Sequence, residues 1–200
     1  MKKLLLLPAL MLSTSVFAQK SASVSKPVDC ALIKTENEAL KEKIAVYEAR
    51  LGIGIGGVNT INGNDKLKIS FLSCKASKTT HKAVFKFLIQ NTDESTRLVI
   101  WDYQNSWGST GAISSFLDEQ GKSYPIEKIL IGTAQVGYSR EFAQIPSKAS
   151  VQCSIELATV PLSATNFNSV TLSFGKEIMG MNQRIPFVST FQNVPITWVP

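Results

Sequence analysis

Histidine is almost absent from this chain, since His81 is the single histidine in 200 residues. Multi-histidine metal sites need several such residues, and a serine or cysteine triad would have to use His81 as its base. His81 lies in the segment K-T-T-H-K, which is typical of a surface turn. We therefore expect no such triad, no metal and no cofactor.

Long apolar runs are also scarce, and the single one lies at the start of the sequence. Lys2 and Lys3 precede an apolar run over 4–12, and Val-Phe-Ala at 16–18 precedes a glutamine, a pattern typical of a secretory signal peptide. The run is too short to span a bilayer of about 30 Å. We predict a signal peptide over 1–18, an exported protein (periplasmic or secreted) and no transmembrane segment.

Three cysteines leave an odd count for an oxidising compartment. Cys74 and Cys153 would form one disulfide. In a regular strand, however, Cys74 would lie on the same face as the polar Lys68, whereas Cys153 lies on an apolar face. A β-bulge would reconcile the two. Cys30 is then left for an intermolecular bond.

Positive charge is mild and dispersed. The formal net charge is +6, and the lysines after residue 65 alternate along predicted strands without clustering with aromatic residues. This pattern is typical of a solvated sheet face, so we expect no nucleic-acid partner.

The segment 29–51 carries apolar residues with the 3-4 spacing of a coiled-coil helix. The predicted oligomerisation seam consists of Ile33, Asn37, Leu40, Ile44, Tyr47 and Leu51. Asn37, Ile44 and Leu51 fall at heptad position a, as does Cys30, and the other three fall at d. We call these six residues the seam.

Charges beside the seam favour a parallel homodimer through residues 29–51. In a parallel pair each g position faces the e position five residues later in the partner, and all three pairs have opposite sign: Asp29 with Lys34, Glu36 with Lys41, and Lys43 with Glu48. Such a dimer would also bring the two copies of Cys30 together. A trimer and a single amphipathic helix packed on the rest of the protein stay open as alternatives.

Low-complexity segments border this helix. Residues 19–28 are small and polar, which predicts a disordered lead-in. Residues 52–65 are rich in glycine and contain a G-x-G-x-x-G match, but they follow a helix instead of a strand, so the match does not predict dinucleotide binding. We interpret 52–65 as a linker.

From Lys66 onward the apolar period changes to two, as expected for β-strands. Seven to nine short strands separated by turn residues predict one antiparallel β-sandwich domain over 66–200. The fold class is therefore mainly β, with an antiparallel immunoglobulin-like sandwich preceded by one coiled-coil-like α-helix.

The immunoglobulin-like part of this description comes from a resemblance. The segments F-L-I-Q-N-T at 87–92, S-F-L-D-E-Q-G-K-S-Y at 115–124 and the I-P-S strand at 145–157 resemble uncharacterised bacterial extracytoplasmic immunoglobulin-like domains. Antibody-type domains carry a tyrosine two residues before the second core cysteine, where this chain has Val151. The resemblance implies an architecture and no active site.

Two groups of residues are candidates for function. Trp101, Tyr103 and Trp107 form the only aromatic cluster and would make a ligand platform if exposed, although Val99 on the same parity favours an inward, core position for Trp101. Loop carboxylates would serve a hydrolase: Asp93, Glu94, Asp102, Asp118 and Glu119. We expect a non-enzymatic binding or structural module for an unknown envelope or extracellular ligand, with the hydrolase as the alternative.

Overall fold

The structure is a computed structural model that describes residues 30–51, 58–101, 113–136, 142–177 and 184–200. The predicted signal peptide and lead-in, together with Asp29, Asp102, Tyr103 and Trp107, lie outside the described residues. The same holds for the first half of the predicted linker and for the side chain of Leu51.

One helix and twelve strands make up the described chain. They are α1 (Cys30–Leu51), β1 (Asn59–Asn62), β2 (Leu67–Ser77), β3 (Ala83–Asn91), β4 (Thr96–Trp101), β5 (Ser115–Leu117), β6 (Ile126–Ile131), β7 (Ala134–Val136), β8 (Ala143–Ile145), β9 (Ser150–Leu157), β10 (Asn166–Glu177), β11 (Arg184–Pro195) and β12 (Thr197–Val199). α1 confirms the predicted helix, and it is not long and apolar enough to cross a membrane.

The strands form two sheets. The first sheet has the order β1-β11-β10-β4-β8, and β5 pairs with β10 beyond the end of β4. The second sheet has the order β12-β2-β3-β9-β6-β7. All pairs are antiparallel except β12 with β2, so the predicted antiparallel arrangement is confirmed apart from that pair.

Aromatic side chains join the two sheets. Phe85 of the second sheet meets Phe116 and Phe191 of the first edge to face, with ring centroids 5.4 and 5.3 Å apart. Phe87 and Phe174 make a similar contact at 6.5 Å. Buried aromatic pairs contribute more than their area alone. The two sheets therefore pack face to face around one core, which confirms the β-sandwich.

A β-bulge lies in β2, where the register with β3 shifts between Phe71 and Ser73. Leu67, Ile69 and Phe71 are buried before the shift, and Cys74 and Ala76 are buried after it. The bulge thus changes which residues of β2 face inward: odd-numbered ones before it and even-numbered ones after it. This turns Cys74 toward the core, as the conflict between Cys74 and Cys153 indicated.

The predicted linker over 52–65 is wrong in its second half. Residues 59–62 form β1, which pairs with β11, and Val58 is buried in the core. Asn62 also accepts hydrogen bonds from the Ile69 amide and the Ser189 hydroxyl. Four residues with two asparagines give too short a strand signal to detect from periodicity. The sandwich therefore begins near Val58 and not at Lys66.

We predict that a fragment of residues 66–200 folds but is less stable than one of residues 58–200. Deleting Val58 and β1 should lower the free energy of unfolding by about 3 kcal/mol, since burial of a valine and a strand contact is lost. Urea unfolding followed by far-ultraviolet circular dichroism measures the difference. Equal midpoints would show that β1 adds no stability.

Candidate functional site

Helix α1 lies on the outer face of the second sheet. Ala45 and Val46 pack against Leu72 and Leu88, which are both buried although neither belongs to the central core. Leu88 lies between the inward residues Phe87 and Ile89, so its side chain points out of the sandwich. The helix therefore covers an apolar patch that the sheet presents on its outside.

Ion pairs extend this contact. Lys75 lies 3.3 Å from Glu38 and 3.5 Å from Glu42, and Lys86 lies 3.2 Å from Glu42. Partial burial opposes the charged form of Glu42, but the two lysines outweigh it and its pKa is lowered. Hydrogen bonds from Lys41 and Lys75 likewise lower the pKa of Glu38. Both carboxylates thus hold the helix to the sheet in their ionised form.

The seam occupies the opposite side of the helix. At 100° per residue, the mean direction of the sheet-facing residues lies about 165° from that of Leu40 and Ile44. The sheet-facing residues are Glu38, Glu42, Ala45 and Val46. Ile33, Leu40, Ile44 and Tyr47 have exposed fractions of 43, 54, 55 and 61%, and Asn37 is exposed as well. The helix does pack on the sheet, but with another face than the apolar stripe, so the seam is left open.

The charged flanks of the seam are accessible too. Glu36, Lys41 and Lys43 are exposed and Glu48 is partly exposed, while Lys41 also pairs with Glu38 of the same helix at 3.1 Å. Cys30 is an exposed free thiol at the first residue of α1. The seam residues other than Leu51, together with two of the three predicted charge pairs, therefore lie on one surface, free of contact with the sandwich core.

Trp101 is buried, as a core position predicts, but it lies on the opposite face of the strand from the predicted one. Leu98 and Ile100 point into the core, so Val99 and Trp101 lie on the outer face of the first sheet. Trp101 is nonetheless only 1% exposed and cannot serve as a surface platform. The inference that Val99 marks an inward face was wrong, because β4 carries apolar residues on both faces and parity alone cannot choose between them.

Gly175 explains how the indole lies so close to the sheet. A Cβ atom at Gly175 would come within 2.6 Å of Cζ2 of Trp101, so only glycine admits the ring there. The Trp101 Nε1 group is buried and has no hydrogen-bond partner in the described parts of the chain.

The predicted disulfide between Cys74 and Cys153 does not form. Both are buried free thiols in one sheet, on β2 and β9 with β3 between them. Strands are about 4.8 Å apart, so the two Cα atoms are separated by more than the roughly 7 Å that a disulfide spans. Burial raises the pKa of the Cys74 thiol to about 12 and raises that of Cys153 as well. Both are inert core residues.

Two of the candidate carboxylates that the structure describes, Asp93 and Asp118, serve an ion pair and a turn. Asp93 pairs with Lys66 at 2.9 Å. Asp118 accepts hydrogen bonds from the Tyr124 hydroxyl and from the amides of Gln120 and Lys122, and these lower its pKa. Asp118 and Glu119 are neighbours in one turn, so they do not face each other across a cleft as a hydrolase pair requires.

Sequence reasoning missed the docking residues of the sheet. Leu72 and Leu88 interrupt the alternation of their strands, in F-L at 71–72 and F-L-I at 87–89. Runs without alternation indicate strands covered on both faces, and this signal could have located the helix.

No protein-family model matches the chain, and no curated protein is significantly similar to it.

We predict that Trp101→Ala lowers the free energy of unfolding by about 3 to 5 kcal/mol, because it leaves a cavity over Gly175. Trp101→Phe, which keeps an aromatic ring, should cost less. Chemical unfolding measures both changes. An unfolding midpoint unchanged in Trp101→Ala would contradict a structural role for the indole.

Proposed function

We propose that this protein is an exported, non-enzymatic binding or structural module in which a helix dimerises and presents the β-sandwich. The observation that carries the proposal is the position of the seam, which is exposed and directed away from the sandwich. Export is inferred from residues 1–18. The immunoglobulin-like, bacterial extracytoplasmic assignment belongs to the same proposal, and the two packed sheets support it.

The seam's chemistry favours burial. Among the described residues, four of the nine large apolar side chains with high exposure belong to the seam: Ile33, Leu40, Ile44 and Tyr47. Contiguous exposed apolar surface of this kind marks interaction sites. Burying a leucine or isoleucine side chain contributes about 1.5 to 3 kcal/mol, so a partner that covers the seam gains substantial free energy.

The partner we infer is a second copy of this chain. A seam with 3-4 spacing accepts another helix with the same spacing, and the flanking pairs Glu36 with Lys41 and Lys43 with Glu48 are complementary between identical parallel helices. Asn37 would face its own copy and exchange a side-chain hydrogen bond. Charge complementarity thus argues for a homodimer over an unrelated apolar partner.

The sandwich does not obstruct this dimer. Because the sheet contacts one side of α1 and the seam lies on the other, two helices can pair at the usual 8–10 Å with one sandwich on each outer flank. The helix is short for an isolated coiled coil, but its docking on the sheet supports it from behind.

We predict that the mature protein is a dimer and that Leu40→Lys makes it monomeric. Leu32→Lys is the matched control, since Leu32 lies off the seam on the same helix and is as exposed as Leu40, 57% against 54%. Light scattering coupled to size exclusion measures the mass, and unfolding curves verify that both variants fold. A wild-type monomer at all concentrations would refute the dimer.

A second prediction concerns orientation. Incubation with oxidised glutathione should produce a disulfide-linked dimer on a non-reducing gel, absent in Cys30→Ser, because only parallel helices bring the two Cys30 residues together. Asn37→Lys should weaken the dimer by placing two like charges in the seam. Lys43→Glu should also weaken it, and adding Glu48→Lys should restore it. A scattering dimer without the Cys30 band and without this rescue would indicate antiparallel helices.

A further inference from the structure

Helix α1 is a loose cover for the outer face of the second sheet. Over residues 30–48 none of its side chains is fully buried, although Leu72 and Leu88 beneath it are. Four side chains of the helix are half-buried: Glu38, Ala45, Val46 and Glu48. Elements with few buried apolar contacts open locally at a low cost in free energy. We therefore expect α1 to leave the sheet far more easily than the sandwich unfolds.

An open groove of about 430 Å³ remains between α1 and the sheet. Gln152 of β9 lines it from the sheet and is the register partner of Leu88. Ala39 and Val46 line it from the helix, and because they are seven residues apart they lie on the same side of α1. The small side chains of α1 thus leave the space beside Leu88 unfilled.

The charges around Leu72 and Leu88 select the kind of helix that fits there. Lys75 and Lys86 are partly buried, and within the described chain their ion-pair partners are Glu38 and Glu42 of α1. Partly buried ammonium groups are costly without an opposite charge. A helix that replaces α1 must therefore carry two carboxylates one turn apart, beside apolar residues that cover the two leucines.

Larger apolar side chains on such a helix would improve on α1. Each additional methylene group that becomes buried strengthens binding about fourfold. A leucine at the position of Ala39 adds an isopropyl group on the side of the groove.

A second copy of this chain has no such advantage. Its α1 offers the same Ala39 and Val46, whereas the resident α1 is tethered to the sandwich and has an effective concentration of about millimolar. Only a helix with a higher intrinsic affinity displaces it. The occupant that fits is therefore a helix of different sequence.

We propose that the outer face of the second sheet is a binding site for an acidic amphipathic helix of another protein, and that α1 is a displaceable cover of this site. The site consists of Leu72, Lys75, Lys86 and Leu88 together with the groove at Gln152. The inference goes beyond the dimer and does not depend on it, because the seam lies on the other side of α1 and stays available when α1 leaves the sheet.

The probes are fluorescent peptides of residues 30–51 that carry Cys30→Ser, Ile33→Gln, Leu40→Gln and Ile44→Gln, so that they cannot join the coiled coil. Anisotropy measures their binding to the mature full-length protein. The peptide that also carries Ala39→Leu should bind about tenfold more tightly than the one that keeps Ala39, because part of the added side chain is buried in the groove. Glu38→Lys with Glu42→Lys in the same peptide should abolish binding.

Variants of the protein test the same charges from the sheet. Lys75→Glu with Lys86→Glu should lose the acidic peptide and gain the charge-reversed one. Lys122→Glu with Lys148→Glu, an equal change of charge at exposed turn positions, should leave binding unchanged. If the first double variant does not fold, the charge-reversed peptide on the wild-type protein still tests the lysines.

Hydrogen exchange followed by mass spectrometry reports displacement directly. Exchange of the α1 amides should rise when the Ala39→Leu peptide saturates the protein, while exchange of β2 and β3 stays low. No binding at millimolar peptide, binding that the charge reversals do not change, or unchanged exchange of α1 would overturn the proposal. Equal affinity of the two acidic peptides would overturn it as well, since α1 of a second copy would then be as good an occupant. Light scattering reports the dimer separately.

Discussion

The two leucines on the outside of the second sheet impose the constraint on which the arrangement of the molecule depends. Leu72 is the residue at the bulge and Leu88 points away from the core, so both would face water without a cover. Helix α1 supplies that cover with Ala45 and Val46. Because the small side chains of the helix face the sheet, its larger ones face outward, and the docking that protects the sheet also creates the open seam.

Apolar burial and ion pairs have different roles in this docking. Each buried leucine contributes about 1.5 to 3 kcal/mol, whereas ion pairs with partly exposed partners contribute little to stability. Lys75 and Lys86 instead favour the observed face of the helix, because they pair there with Glu38 and Glu42. Rotation by half a turn would bury the seam against the sheet and would break these ion pairs. The apolar patch therefore supplies the affinity, and the charges set the rotation of α1.

Features that follow from a repeated local spacing of apolar residues could be predicted from the sequence. Features that depend on contacts between distant segments could not. The bounds of α1 and the inward face of β9 follow from repeated spacing, and the parity conflict of Cys74 correctly implied a bulge. Strand order is not encoded locally, so the separation of Cys74 from Cys153 by β3 was invisible. The surface cleft between the turn at 118–122 and the loop at 163–166 joins segments more than forty residues apart, and no local pattern marks such a pair.

In the proposed parallel dimer, the two-fold axis runs along the helices. The two sandwiches therefore have the same orientation along this axis. Any binding surface on one sandwich then recurs at the same height on the other, half a turn around the axis. Linked sites raise the effective affinity by about 10² to 10⁴ without any new contact, provided that one ligand spans both of them. A dimerising helix would then serve recognition directly, because it makes the sandwich bivalent toward a ligand with repeats.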